Sequence, residues 1–172
     1  MKAKPLPSLE KLSQVFEICN ESPSGLIWKK PLNAKQKPES VGGHQRKNNY
    51  WYVSFERSQL LVHRVIYFMH HKIDITNFKI DHIDQNPANN KIENLRIATH
   101  QQQQCNKKGK KNSSSKYKGV NWAKQQNKWR ASICVNNKRM HIGYFENEID
   151  AAKAYNAASQ KHHGQFAFLN NV

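Results

Sequence analysis

The spacing of hydrophobic residues changes several times along the first half of the chain, and each spacing predicts a different element. Ser8 stands before a stretch whose apolar side chains recur every three to four residues, as on one face of a capped helix. Farther on, two runs rich in aromatic and branched residues flank a turn, and a second helical stretch follows. The predicted elements are a helix over 9–18, strands over 26–28, 50–55 and 60–62, a helix over 63–71, and a polar loop over 29–49.

A polar segment near residue 80 interrupts this pattern and places an acid beside a histidine. Lys79 to His82 and Leu95 to Ala98 are two short strand-like runs on either side of a loop rich in asparagine. Thr99 then stands where a helix cap is expected, which predicts a helix over 100–106. The pattern therefore predicts two paired strands followed by a short helix.

The last third of the chain has the pattern of a small sheet followed by one helix. Three strand-like runs, over 117–123, 128–135 and 138–145, are joined by short polar turns. Asn147 then caps a helix whose apolar face is small and flat and suits packing on a three-stranded sheet. Alternation predicts that Trp129, Ala131, Ile133, Met140 and Ile142 face this helix, and that Arg130, Ser132, Cys134, Arg139 and His141 face outward.

The composition favours two small cores over one large core. Only 37% of the 172 residues are hydrophobic, and the mean hydropathy is −0.90. A stretch near residue 110 is rich in lysine, serine and glycine, which predicts a flexible linker. We therefore predict an α+β protein with an N-terminal domain over 1–106, a basic linker over 107–115 that includes Lys110 and Lys111, and a C-terminal domain over 116–172.

The charge distribution predicts a polyanionic partner. The formal net charge is +16, and the sequence pI is near 9.9. No Asp or Glu occurs between Glu93 and Glu146, whereas that stretch carries twelve Lys and Arg residues. Because this basic window coincides with predicted strands and aromatic residues, it favours binding to nucleic acid.

The cysteines and the N-terminus indicate a protein that works in the cytoplasm. Cys19, Cys105 and Cys134 lie far apart and form no C-x-x-C pair, which fits a reducing compartment. The first residues lack the apolar core of a secretion signal, and no run is long enough to span a membrane. We expect a location in the cytoplasm, without secretion or membrane insertion.

Asp81 and His82 together have the chemistry needed to cut a phosphodiester bond. A carboxylate such as Asp81 can hold one hard divalent ion, Mg²⁺ or Mn²⁺, which balances charge on the phosphate and on the leaving oxygen. His82 titrates near neutrality and can take a proton from the attacking water. Neighbouring side chains on a strand point to opposite faces, so we expect a bulge or a strand end here.

Several motifs between residues 62 and 99 support this interpretation. They are Val62-His63-Arg64, Asp81-His82, Asp84-Gln85-Asn86, Asn89-Asn90, and Asn94-Leu95-Arg96 with Thr99. With their spacing, residues 8–106 resemble the HNH nucleases of phage and intron type. The resemblance implies a unit of two strands and one helix, with its core over about 79–106, that holds a single divalent ion.

The resemblance also implies roles for individual residues. It makes His82 the general base, Asp81 a metal ligand, and Asn94 the residue that orients the imidazole and stabilises the loop. The second metal ligand of the family falls on Gln103, where His or Asn is usual, and His100 one turn earlier is the alternative. His63 and Arg64 are implied to lie near the DNA backbone or the floor of the active site; the alternative is a helix cap with an exposed arginine.

A second set of motifs occupies the C-terminal segment. It comprises Lys116-Tyr117-Lys118-Gly119-Val120, Lys128-Trp129-Arg130-Ala131, Gly143-Tyr144-Phe145, Ala151-Ala152, Ala154-Tyr155-Asn156-Ala157-Ala158, His163-Gly164 and Phe168-Leu169-Asn170. Residues 116–169 thereby resemble the AP2 domain, which implies a three-stranded antiparallel sheet laid in the major groove and backed by one helix. The DNA-binding candidates are Lys118, Asn121, Trp122, Lys124, Arg130, Ser132, Arg139 and His141; Trp122 could equally belong to the core.

These observations predict an HNH endonuclease with an AP2-like DNA-binding domain, and the resemblance implies a homing endonuclease of a phage or mobile element that works in the host cell. The expected partner is double-stranded DNA, with no small-molecule substrate, and a monomer is favoured. The rival hypothesis is a DNA-binding regulator that retains an inactive nuclease fold. Cleavage of supercoiled plasmid with a divalent ion distinguishes the two.

Overall fold

The computed structural model describes residues 5–33, 36–109 and 113–172, which fold into two compact units, Met1–Thr99 and His100–Val172. The first four residues, used above to judge secretion, and the linker residues Lys110 and Lys111 lie outside the described residues. No described helix has the length and apolar character needed to cross a membrane.

The first unit begins with a short helix that is cut off earlier than its hydrophobic spacing predicts. Helix α1 spans Leu9–Val15, with the Ser8 side chain accepting a hydrogen bond from the backbone N–H of Lys11. The predicted helical residues after Val15 instead form strand β1, Phe16–Ile18, which pairs with β2, Leu26–Trp28. The switch is stabilised by packing, because the Phe16 ring is buried against the ring of Trp28 at 4.7 Å between centroids.

A small sheet and a buried helix complete the core of this unit. Strand β3, His44–Gln45, lies within the predicted loop and pairs with β4, Trp51–Phe55, which pairs with β5, Ser58–Leu61. Helix α2, Val62–His71, follows β5 directly. The fully buried side chains of this core come from five different elements and from the loop after α2: Leu12, Phe16, Leu26, Val53, Val62, Val65, Ile66 and Ile75.

The predicted strand pair after α2 is present with its predicted bounds. Strand β6, Lys79–His82, pairs antiparallel with β7, Leu95–Ala98, and a single turn of 3₁₀ helix over Ile92–Asn94 leads into β7. Ile80 and Leu95 anchor the pair in the core of the first unit. His82 is the last residue of β6, so the strand end that the chemistry requires is present.

The second unit contains one short helix, a three-stranded sheet and one long helix. Helix α3 spans His100–Asn106. Strands β8, Val120–Ala123, β9, Lys128–Val135, and β10, Lys138–Phe145, form an antiparallel sheet with β9 in the centre. Helix α4, Glu148–His163, packs on this sheet and ends in a 3₁₀ turn over Gly164–Phe166. Its core is built from small residues, namely Val120, Ala131, Ala151 and Ala152, with Tyr155 buried beside them.

A β-bulge in β10 changes which side chains face outward. The pairing register between β9 and β10 shifts between His141 and Gly143. The extra residue reverses the alternation, so that Tyr144 lies opposite Arg130 while Phe145 packs on the core. Ala131 and Ile133 face the helix as alternation predicts. Met140 lies opposite Ile133 and so on the same face, as predicted, although 37% of its surface is exposed.

The described residues between α3 and β8, 107–109 and 113–119, make hydrogen bonds within the second unit. The Ser114 hydroxyl accepts a hydrogen bond from the Trp122 N–H, and Ser115 is buried. The carbonyl of Lys107 accepts a hydrogen bond from the Lys118 ammonium. The flexible linker predicted over 107–115 stays a prediction, although its described residues make these hydrogen bonds and α3 is grouped with the second unit. The contacts of this segment are made by polar groups, and they cannot be predicted from its lack of apolar residues.

Candidate functional site

His82 sits in a buried cluster of rings at the end of β6. Only 5% of its surface is exposed. The ring of His63 lies edge-on to it at 4.9 Å between centroids, and the ring of Tyr50 lies at 5.9 Å. The three rings contact one another, since Tyr50 lies 5.5 Å from His63; α2 supplies His63, and the residue before β4 supplies Tyr50.

A chain of hydrogen bonds determines which nitrogen of His82 carries the proton. The amide nitrogen of Asn90 donates to the backbone carbonyl of Ser24 at 2.9 Å, which fixes the orientation of the amide. The Asn90 Oδ1 atom therefore faces His82 Nε2 at 3.0 Å. An amide oxygen only accepts hydrogen bonds, so His82 Nε2 is the protonated nitrogen. His82 Nδ1 is then left with the lone pair that a general base needs.

The turn that supplies the Ser24 carbonyl is held against Asn90 by a glycine. Gly25 has a φ of +78°, and a Cβ there would lie 2.8 Å from Ile66 Cδ1 and 3.3 Å from Asn90 Cβ. Ser24 is completely buried and its hydroxyl donates to the Leu26 carbonyl. The β1–β2 turn is therefore pressed onto the residue that holds the imidazole.

Asn94 stabilises the loop, as the resemblance implies, but its side chain is not the one bonded to the imidazole. Its Oδ1 accepts from the Asp84 N–H at 3.0 Å, and its Nδ2 donates to Asp84 Oδ1 and to the Asn89 carbonyl. Asp84 also accepts from the side chain of Asn89. The orienting role assigned to Asn94 therefore passes to Asn90, because the family motif contains several asparagines and only the fold shows which one reaches the ring.

Asp81 is held by an arginine on the neighbouring strand. Asp81 lies directly opposite Arg96 in the β6–β7 register. Its Oδ2 accepts from Arg96 Nη2 at 2.9 Å and from Nε at 3.1 Å, and the two side chains are 8% and 13% exposed, respectively. A carboxylate oxygen is a ligand of the type that Mg²⁺ prefers, so the residue fits a divalent ion. Such an ion would have to share the carboxylate with the guanidinium of Arg96.

The two candidates for the second metal ligand lie in the second unit. Gln103 and His100 are both on α3, where Gln103 is half-buried and His100 is exposed. Within the described part of the chain, no group of three or more His, Cys, Asp or Glu side chains is placed to hold a metal ion. The second ligand therefore remains a prediction.

His63 and Arg64 are interior residues. Arg64 is 6% exposed and donates to the backbone carbonyls of Phe78 at 2.7 Å and Ile75 at 3.0 Å, so it secures the loop after α2. His63 is 4% exposed and lies against His82. Their burial does not fit a place at the DNA backbone, and that of Arg64 does not fit the alternative of a helix cap with an exposed arginine. The other predicted place, the floor of the active site, stays a prediction.

Burial keeps both histidines uncharged near neutral pH. Desolvation places the pKa of His63 well below its usual value, and the neighbouring His82 and Arg64 lower it further. Desolvation also lowers the pKa of His82, although its hydrogen bond to Asn90 opposes the shift. His82 is therefore in the neutral form that can accept a proton.

One face of the second unit's sheet displays most of the DNA-binding candidates. Register and alternation place Asn121, Arg130, Ser132, Arg139 and His141 on the side away from α4, together with Tyr144, and we call this set the outer sheet face. Asn121 Oδ1 accepts weakly from the Arg130 guanidinium at 3.4 Å. The rings of His141 and Tyr144 lie 4.6 Å apart, and Tyr144 is 43% exposed.

The remaining candidates lie elsewhere. Trp122 pairs with Trp129 across the strands, with ring centroids 5.1 Å apart, and so belongs to the side that carries the core. Lys124 is exposed in the turn after β8. The Lys118 ammonium donates to the carbonyls of Gln104, Cys105 and Lys107, and burial lowers the pKa of Lys118 to about 8. Lys118 is therefore committed to α3 and is not a free DNA contact.

Sequence patterns missed the functional positions of three residues. Asn90 is in the motif, but its neighbours gave no reason to prefer it. Arg96 stands opposite Asp81 in the predicted strand pair, and counting the register would have found it. Tyr144 was hidden by the bulge, for which Gly143 inside a strand was the available signal.

A comparison with known proteins finds a family match over the segment that contains Asp81 and His82. Residues 60–105 match the family model for HNH endonucleases. An uncharacterized HNH endonuclease of Acanthamoeba polyphaga mimivirus is 35% identical over 122 residues, which cover 70% of this chain and 62% of the mimivirus protein. Protein 3.8 of Escherichia phage T7 is 32% identical over 90 residues, which cover 52% of this chain and 74% of the phage protein. No solved structure matches the chain.

The fold and the site thus define a protein with an HNH endonuclease domain around β6 and β7. The chain belongs to the HNH endonuclease family and has viral relatives. It spans less than two thirds of the length of the mimivirus relative.

Proposed function

We propose that this protein is a DNA endonuclease in which His82 is the general base. The observation that carries the proposal is the chain of hydrogen bonds from Ser24 through Asn90 to His82, which leaves Nδ1 as the unprotonated nitrogen of the residue that follows Asp81 on β6. His82 Nδ1 takes a proton from a water molecule, the water oxygen bonds to phosphorus, and the bond to the leaving 3′ oxygen breaks.

Asp81 is proposed to hold one divalent ion, Mg²⁺ or Mn²⁺, with Gln103 or His100 as a further ligand. The bound ion supplies positive charge to the phosphate and to the leaving oxygen. Arg96 orients the Asp81 carboxylate, because it binds Oδ2 through two nitrogen atoms of its guanidinium group. Buried His63 and half-buried Tyr50 restrict water around the imidazole.

The outer sheet face is proposed to bind double-stranded DNA in the manner of an AP2-like domain. It supports this role because it projects arginine, histidine and amide side chains from a rigid sheet, and the chain has a net charge of +16. A homing endonuclease, which cuts long DNA at very few sites, is the specific activity we propose. A randomised plasmid library cut at one recurring sequence supports it, and uniform cutting contradicts it.

The test of the activity is cleavage of supercoiled plasmid by the purified protein with and without Mg²⁺. We expect nicked or linear product only with the ion, and its loss in His82→Ala and Asp81→Ala while DNA binding persists. A general base contributes roughly 10²–10⁴ in rate, so the loss is measurable. Full cleavage by either variant would refute the assigned site.

A second candidate function is that of a DNA-binding regulator without nuclease activity. The pairing of Asp81 with Arg96 favours it, because a guanidinium already neutralises the carboxylate proposed to hold the ion. Under this hypothesis the wild-type protein binds duplex DNA and leaves plasmid intact at every Mg²⁺ concentration. The cleavage assay therefore decides between the two functions.

A further inference from the structure

A cleft of about 640 Å³ lies in the second unit, where the end of α3 and the residues after it meet the sheet. Lys107 and Lys108 line it from the α3 side, and Arg130 and Arg139 line it from the outer sheet face. Lys118 lies at its base. The described lining residues include no acid, and the chain has none between Glu93 and Glu146.

The fold keeps these positive side chains close together. Lys118 reaches three backbone carbonyls at the end of α3, those of Gln104 at 3.3 Å, Cys105 at 2.5 Å and Lys107 at 2.6 Å. Gly109 is pressed against the same residue, because a Cβ there would lie 3.2 Å from Lys118 Cα. The backbone that carries Lys107 and Lys108 is thereby fixed beside the sheet.

An anion is the partner that such a cleft fits. Like charges that the fold holds together repel one another, and a bound anion removes that repulsion. Lys107, Lys108 and Arg139 are exposed, so their charges are available to a partner. The cleft lies next to the outer sheet face, which is proposed to contact a groove of duplex DNA. The phosphates of the two strands run along the edges of such a groove, so a cleft beside the sheet is placed to bind them.

We propose that this basic cleft binds the phosphodiester backbone of duplex DNA, with Lys107 and Lys108 contacting phosphates beside the groove faced by Arg130 and Arg139. This proposal rests on the DNA binding proposed above and extends the contact surface beyond the sheet to the end of α3. Lys118 is a positioning residue in it. Lys118 holds the segment that carries the two lysines and makes no phosphate contact of its own.

The test compares two pairs of lysines in the full-length protein. Lys107→Gln/Lys108→Gln removes the cleft lysines, and Lys153→Gln/Lys161→Gln removes two exposed lysines of α4 with the same change in net charge. The dissociation constant for a duplex is measured from 50 to 300 mM KCl. Each phosphate contact contributes about 0.9 to the slope of log K against log salt, so the cleft pair should make the slope shallower by about 1.8. The α4 pair should leave it nearly unchanged.

A third variant separates the positioning role of Lys118 from direct contact. Lys118→Met keeps most of the buried stem but removes the three hydrogen bonds to α3. We expect Lys118→Met to weaken binding, and to add little when combined with the cleft pair, because all three changes disable the same contacts. Additive losses, with a further slope change of about 0.9, would show that Lys118 contacts phosphate itself and would overturn its assigned role.

The outcomes are distinct for the cleft and for the proposed function. Equal slope changes in the two lysine pairs, or none in either, with a wild-type protein that binds DNA, overturn the cleft and leave the DNA-binding function standing. A wild-type protein whose binding to duplex DNA is undetectable at 50 mM KCl overturns both. Melting temperatures of the glutamine variants should match the wild type, because all four lysines are exposed.

Discussion

The role of Asn90 gives the sharpest test of the site, because Asn94 offers a matched control in the same loop. Both side chains are buried, and both make several hydrogen bonds, but only the amide of Asn90 meets the imidazole of His82. Asn90→Ala removes a hydrogen-bond partner from two buried groups, the Ser24 carbonyl and the His82 Nε2–H. Asn94→Ala leaves only loop groups without partners.

The two alanine variants should lose similar amounts of stability but should differ in their cleavage rates. Each unsatisfied buried group costs about 1–3 kcal/mol, so Asn90→Ala should lower the free energy of unfolding by about 2–6 kcal/mol. Asn94→Ala should cost a similar amount, since its amide makes three hydrogen bonds. Only Asn90→Ala frees the imidazole to carry its proton on Nδ1, which should reduce the cleavage rate roughly 10- to 100-fold as part of the general-base contribution.

The assay is single-turnover plasmid cleavage at a temperature where both variants are fully folded, combined with ¹⁵N NMR of the imidazole. The wild type and Asn94→Ala should show a protonated Nε2 and an unprotonated Nδ1, whereas Asn90→Ala should show a mixture. If Asn94→Ala changes the tautomer and Asn90→Ala does not, the assignment of the orienting residue is refuted.

Three further predictions follow from the same contacts. Burial lowers the pKa values of His63 and His82, so below about pH 6.5 the unfolded chain binds more protons than the folded chain. The stability that the two histidines contribute is therefore complete above that pH and should fall below it by about 1.4 kcal/mol per pH unit for each histidine. Urea unfolding at a series of pH values measures this slope, and His63→Gln should remove about half of it. Arg96→Leu removes the ion pair of the buried Asp81 carboxylate, at a cost of about 3–5 kcal/mol that Mg²⁺ should partly restore. A loss below about 1 kcal/mol would show that the ion pair is dispensable. Tyr144→Ala and Arg130→Ala should each weaken preference for the target site, the arginine by about 1–3 kcal/mol, while Trp122→Ala should instead lower the melting temperature; equal losses on target and random DNA would remove both from sequence recognition.

Sequence pattern alone located most elements and the central pair of the site. The strands Lys79–His82 and Leu95–Ala98 have their predicted bounds, because alternation and flanking turn residues are local properties of the chain. The placement of His82 at a strand end follows from the same local reasoning. The separation of outward from helix-facing residues in β9 also followed from alternation.

Other features depended on contacts between residues far apart in the chain. Asn90 meets a carbonyl 66 residues away, and no spacing within the motif distinguishes it from Asn94. The sequence allowed Arg64 to be an exposed helix residue, but in the fold its side chain is buried and donates to the carbonyls of Ile75 and Phe78. A basic residue cannot be assigned to DNA or to the interior from its type alone, because the interior accepts it wherever backbone carbonyls can receive its protons.

Strand β10 on the outer sheet face contains both a part that the sequence pattern predicts and a part that only the fold defines. Alternation fixes the direction of side chains only while the register holds, and one extra residue in β10 turned Tyr144 outward and Phe145 inward. Lys118 was predicted to contact DNA, but its ammonium group instead donates to three backbone carbonyls at and just after the end of α3. The sequence by itself determined most of the elements, the charge and the candidate pair of Asp81 and His82. The tertiary structure decided which polar group serves which partner, since each hydrogen bond depends on distances that only the folded chain defines.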